Sequence, residues 1–132
     1  MADTMQFDLV TPERKLASMA VDSVEIPGSE GEFTALPNHS PFLTTLRPGL
    51  MRVLSGSDVT EYIVTGGFAE VSPEGATILA EEALLKSEVT REKLEALLAK
   101  AEAELAKVAE HENADAARRV ADHKELLIRH GA

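Results

Sequence analysis

The sequence predicts a β + α chain: an N-terminal β-sandwich or flattened barrel of short strands, followed by a C-terminal antiparallel two-helix hairpin. Two observations carry this prediction. All six prolines and seven of the eight glycines lie at or before Gly75, whereas residues 76–130 contain neither. Ahead of that break, apolar and polar residues alternate in short runs; behind it, apolar residues recur every three or four positions. The change falls just after Ala83, near Lys86 to Thr90, so residues 1–85 are expected as the β domain and 86–132 as the helical one.

The strands are read from alternation and turn chemistry. Met5–Val10 alternates, and Ser23–Ile26 does so before Pro27-Gly28. Gly49–Leu54 runs into Ser55-Gly56-Ser57-Asp58, a good turn signal. Tyr62–Thr65 meets Gly66-Gly67, Phe68–Val71 meets Ser72-Pro73-Glu74-Gly75, and Ala76–Ala80 closes the series. Strands this short, with turns this close together, argue against a parallel α/β sheet.

In the first helix, Leu94, Leu97, Leu98, Ala101, Leu105 and Val108 share one face, with Thr90 as N-cap. The second is expected to start at Asn113 or Asp115 and to gather Ala117, Val120, Ala121, Leu127 and Ile128. Lys124 interrupts that stripe and would have to snorkel. The joint Glu110-His111-Glu112-Asn113 holds no Gly or Pro, which leaves a single longer helix open. The hairpin has few large apolar side chains for its length and is expected to lean on something else.

Composition narrows the function. With 132 residues the chain has room for one core and a small appendage. Hydrophobic residues make up 44%, enough to fold, but aromatics are 4%, so stacking platforms are scarce. No cysteine is present, which removes disulfides, thiolate zinc sites and cysteine nucleophiles. The longest stretch free of Asp, Glu, Lys and Arg is Phe33–Leu46, too short and too proline-broken to span a bilayer, and no secretory signal is read at the start. The net charge of −10 is concentrated in residues 1–85, with four basic against thirteen acidic residues. Such a surface repels phosphate backbones, so nucleic acid is not expected as a partner.

Catalytic patterns do not gain support. Gly28-Ser29-Glu30-Gly31-Glu32 lacks the Gly-Lys-Ser/Thr ending of a phosphate cradle and carries two carboxylates, so it reads as a tight turn. Gly66-Gly67 reads as a bend or bulge between strands. His39 lies between Pro37 and Pro41; a small hydrolase would use it as a base beside Ser40, but no nucleophile elbow accompanies it, and a rigid contact loop is the better account. His111, His123 and His130 lack the three- or four-residue spacing of a helical metal pair and are read as surface residues. No metal and no cofactor is expected. Glu125 and Arg129 form a favourable i, i+4 pair.

These residues resemble a known family. Ile26-Pro27-Gly28-Ser29-Glu30-Gly31-Glu32, then Leu36-Pro37-Asn38-His39-Ser40-Pro41-Phe42-Leu43-Thr44 and Arg47-Pro48-Gly49, closely resemble the epsilon subunit of bacterial F-type ATP synthases. So does Gly66-Gly67-Phe68-Ala69-Glu70-Val71-Ser72-Pro73, followed by Leu79-Ala80-Glu81. The resemblance implies about ten strands in the sandwich and a non-catalytic place in the central rotor stalk of a proton-translocating ATP synthase. It implies a peripheral position on the cytoplasmic face of the bacterial inner membrane, and as partners the gamma subunit and the ring of c subunits. Glu30, Gly31 and Glu32 would face the c-ring, and His39, Ser40 and Pro41 would face gamma. The helical tail would restrain ATP hydrolysis in some relatives, with Arg118, Arg119, Lys124 and Arg129 available to meet acidic segments of the alpha and beta catalytic subunits. ATP-sensing relatives open the first helix with Ile/Leu-Asp-x-x-Arg-Ala; here Thr90, Lys93 and Leu94 replace the Asp, Arg and Ala, and no nucleotide site is expected. Outside the resemblance, a free-standing adaptor or chaperone module would share the same layout.

Overall fold

A computed structural model describes residues 4–108 and 114–131 of the chain. The chain divides into two compact units, Met1–Lys86 and Ser87–Ala132.

Ten strands build the first unit: β1 (Met5–Val10), β2 (Lys15–Val21), β3 (Ser23–Gly28), β4 (Gly31–Ala35), β5 (Phe42–Leu46), β6 (Gly49–Ser55), β7 (Asp58–Val64), β8 (Gly67–Val71), β9 (Gly75–Ala80) and β10 (Ala83–Leu85). Hydrogen bonding runs in the order β10-β7-β6-β3-β5-β8-β9-β1-β2, with β4 on β3. β3 and β5 are paired at one register position, Gly28 opposite Leu46. That narrow join is the corner of the sandwich: β4, β3, β6, β7 and β10 form one side, and β5, β8, β9, β1 and β2 form the other. The inward residues of both sides meet in one core, in which Phe7, Leu9, Ile26, Met51, Val64 and Ile78 are at most 1% exposed.

The alternating runs become strands because each buries one face. In β1, Met5, Phe7 and Leu9 are buried while their neighbours are not. Asp58 pairs with Ser55 across a two-residue turn in which Gly56 has φ +61, as a hairpin of this length favours at its first central position. Gly67 has φ +143, and a Cβ there would collide with the Leu79 carbonyl oxygen. The Gly66-Gly67 bend therefore needs glycine for both conformation and space. Five strands lack a clear alternation. In β7, Tyr62, Ile63 and Val64 are buried in succession. β2, β4, β5 and β10 each have at most one buried residue, at the strand end or nowhere.

In the second unit a short 3₁₀ turn at Lys86–Glu88 bridges into it, and α1 (Arg91–Lys107) packs against α2 (Ala114–His130) as an antiparallel pair. Thr90 caps α1 as expected: its hydroxyl accepts from the Lys93 amide at 3.2 Å. Leu94, Leu97 and Ala101 are buried, and Leu98, Leu105 and Val108 half-buried, on the expected face. Val108 is extended and ends α1, which closes the single-helix alternative in this conformation. The joint at 110–113, including Asn113 and His111, lies outside the described residues.

The face of α2 differs from the expected one. Val120, His123 and Leu126 are buried, whereas Ala117 and Ala121 are exposed and Ile128 is 77% exposed. The buried stripe centres on Val120, His123 and Leu126, flanked by half-buried Ala116, Arg119, Leu127 and His130, somewhat more than a quarter-turn from the predicted one at 3.6 residues per turn. Lys124 is therefore off the stripe and exposed, and does not have to snorkel. His123, read as a surface residue, is 3% exposed, and His130 is half-buried. An imidazole has an apolar body with polar edges, so it can hold a seam position that a purely apolar count overlooks.

Candidate partner-docking site

The β3–β4 hairpin carries the first group of candidate residues. Gly28 pairs with Gly31, so Ser29 and Glu30 form a two-residue turn. The tight turn read from the sequence is thus present, and β4 starts inside the Gly31-Glu32 half of it. Gly31 has φ +131, which an L side chain rarely adopts, and Glu32 sits opposite Pro27. Glu30, Gly31 and Glu32 are all exposed. A tight turn with two exposed carboxylates suits a basic or polar surface, and would be repelled by an acidic one.

The second group follows β4. Asn38 has φ +67, and its amide donates to the Pro73 carbonyl at 3.1 Å, which fastens the Leu36–Pro41 connection to the β8–β9 turn. The His39 amide donates to the Leu36 carbonyl at 3.1 Å. Its ring Nδ1 lies 2.6 Å from the Ser40 carbonyl oxygen, and so Nδ1–H donates. That tautomer leaves Nε2 as the acceptor nitrogen of the ring. Ser40 and Pro41 are exposed. Among the described residues no group of three His, Cys, Asp or Glu could hold a metal ion.

The structure brings these two groups close together. Phe33, which follows Glu32, meets Phe42, which follows Pro41, edge to face with ring centroids 5.3 Å apart. Sequence reading singled out neither phenylalanine. The available signal was their place: each directly follows a candidate residue in a chain with four phenylalanines.

The basic residues of α2 are not on one face. Arg118 and Arg129 point the same way on the exposed side, Lys124 lies on a flank, and Arg119 is half-buried at the edge of the stripe. Arg129 is engaged with Glu125, Nε to Oε1 at 2.6 Å. At the start of α1, the Lys93 ammonium donates to the Glu88 carbonyl at 3.1 Å, and Leu94 is 1% exposed.

Residues 4–86 match the family model described as ATP synthase, Delta/Epsilon chain, beta-sandwich domain. The chain is 49% identical to the ATP synthase epsilon chain of Ruegeria sp. (strain TM1040), over 96% of each chain. The chain belongs to the ATP synthase epsilon-chain family. A second epsilon chain, from Rhodobacter capsulatus, is 49% identical over 98% of each chain, and one from Jannaschia sp. (strain CCS1) is 54% identical over 86% of each. The fold also matches a chain in the mitochondrial ATP synthase of Euglena gracilis (OSCP/F1/c-ring), with TM-score 0.72 at 24% identity, covering 96% of this chain and 81% of that one. A chain from the Tetrahymena thermophila mitochondrial ATP synthase central stalk/c-ring matches with TM-score 0.60 at 16% identity, covering 97% and 93%. The ten-stranded sandwich is thus the β-sandwich domain that the family model describes, and both solved chains share the fold of sandwich and helices. No helix among the described residues is long and apolar enough to cross a membrane.

Proposed function

We propose that this chain is a non-catalytic subunit of the central stalk of a proton-translocating F-type ATP synthase, linking gamma to the c-ring and helping to couple proton flow to ATP synthesis. The observation that carries the reading is the likeness to epsilon chains over nearly the whole length, 49% across 96% of both chains. In this reading the Glu30–Glu32 tip meets polar loops of the c-ring and the His39-Ser40-Pro41 loop meets gamma. The complex holds the chain peripherally on the cytoplasmic face of the inner membrane. The helical unit regulates ATP hydrolysis, with Arg118 and Arg129 the best placed of its basic residues to reach acidic segments of the alpha and beta subunits. Nucleotide binding is not part of the reading. Thr90 is committed to capping, Lys93 to the Glu88 carbonyl, and Leu94 to burial.

The test is co-purification. A tag on this chain, in detergent-solubilised membranes, is expected to recover gamma and c subunits, identified by mass spectrometry. Recovery of the intact chain without either one overturns the proposal and favours a free-standing adaptor.

A further inference from the structure

The β3–β4 hairpin and β5 are joined by more than their one register pair. β4 hydrogen-bonds to β3 and to no other strand of the sheet. β3 pairs with β6 across Ser23–Glu25, and Gly49 at the start of β6 still lies against Pro27. β5 and Arg47 after it supply the next contacts to the tip. The Ser29 amide donates to the Thr45 carbonyl and the Arg47 amide to the Pro27 carbonyl, both at 2.9 Å. The hydroxyls of Ser29 and Thr44 lie 3.3 Å apart. The edge-to-face pair of Phe33 and Phe42, with an interplanar angle of 87°, adds a second, side-chain attachment beside these bonds, and the Phe33 ring lies over Gly28 of the same join.

The second attachment sits between the two proposed docking edges, since Glu32 precedes Phe33 and Pro41 precedes Phe42. Phe42 is 42% exposed, so core burial does not account for a large aromatic ring at that position. We propose that the Phe33–Phe42 pair is a positioning contact that makes the Glu30–Glu32 tip and the His39–Pro41 loop one rigid body, passing force between their partners without slack. This rests on the assignment of those edges to the c-ring and gamma given above.

The experiment uses the whole enzyme in inverted membrane vesicles and reads proton pumping per ATP hydrolysed. Phe42→Ala is expected to lower that ratio at least threefold, with the subunit retained and the ATPase rate unchanged. Phe42→Tyr, which keeps the ring, is expected to match wild type. The chain has no cysteine of its own, and the γ atoms of Ser29 and Thr44 are near enough for a disulfide after a small adjustment. Ser29→Cys with Thr44→Cys in the Phe42→Ala background is expected to restore the ratio when oxidised and to lose it again on reduction. A Phe42→Ala enzyme that retains the subunit and pumps like wild type overturns the proposal. So does a disulfide that forms but leaves the ratio low. If Phe42→Ala is not retained, Phe42→Leu takes the same test. Loss of that variant too, unrelieved by the disulfide, overturns the proposal, because the pair would then hold the fold and not the position of the tip. Wild-type chain recovered without gamma or c subunits would defeat the assignment of the edges instead. In that case, amide hydrogen exchange along β4 still reports the pair, and no acceleration in Phe42→Ala would overturn the rigid join.

Discussion

The β unit and the helical unit are both built on apolar periodicity, yet they constrain it very differently. A strand such as β1 is fixed by two hydrogen-bonded neighbours, β2 and β9, and a slip of one residue would turn Phe7 and Leu9 to the outside. A helix of a two-helix pair can rotate about its axis without breaking any of its own hydrogen bonds. Its buried face is chosen by packing alone, and α2 buries His123 and Leu126 where a count of apolar residues favours Ile128. Sheet faces follow from local pattern; a lone helix pair leaves more to its surroundings.

The largest effect that would test this contrast is in the sandwich core. Phe7 is fully buried, and Phe7→Ala is expected to cost about 3–5 kcal/mol in urea unfolding of the full chain. A cost under about 1 kcal/mol would mean that the two sides of the sandwich do not share one packed core. The next test compares two positions on α2. Leu126→Ala is expected to destabilise the helical unit by about 2–5 kcal/mol, and Ile128→Ala to stay within about 0.5 kcal/mol, both followed by far-UV circular dichroism. The reverse order would return the stripe to Ala117–Ile128. Smaller still, Thr90→Ala is expected to cost about 1 kcal/mol by removing the hydroxyl that caps the Lys93 amide. An unchanged melting curve would assign the start of α1 to packing alone.

The smallest effect lies back in the β unit. The hydrogen bond from Ser18 holds the Asp8 carboxyl below its ordinary value, aided by Gln6 and Lys15 and opposed by slight burial. A depressed carboxyl contributes stability above its unfolded value of about 4, and that contribution fades as pH falls through the lower folded value. Asp8→Asn should therefore narrow slightly the gap between urea midpoints at pH 6 and pH 3. An unchanged gap would leave Asp8 without a part in acid sensitivity.

Alternation located β1, β3, β6, β8 and β9 within a few residues, because each buries one face against the core, while the end of β7 at Tyr62–Val64 was marked by the Gly66-Gly67 turn that follows. It passed over β2, β4, β5 and β10, whose burial patterns carry no period of two. β4 and β5 are the strands that carry or adjoin the docking residues, so the least legible strands lie nearest the candidate site. Its residues were legible through turn chemistry and resemblance, as Gly31 and the proline-flanked His39 illustrate. The Phe33–Phe42 contact was not, since two positions nine residues apart on different strands meet only through the path of the intervening loop. On α2 the missing information was the partner face, which no local window of sequence contains.

The parallel pairing of β1 with β9 has a consequence for the birth of the molecule. Gln6 lies opposite Gly75, about 70 residues further along the chain. Synthesis at about 5–20 residues per second leaves the first strand waiting several seconds for that neighbour to emerge. Until then β1 has β2 as its only sheet partner, and a two-stranded ribbon is marginal in water. The sandwich therefore cannot close around β1 early: a strand made about 70 residues before its neighbour β9 is among the last to be locked in place.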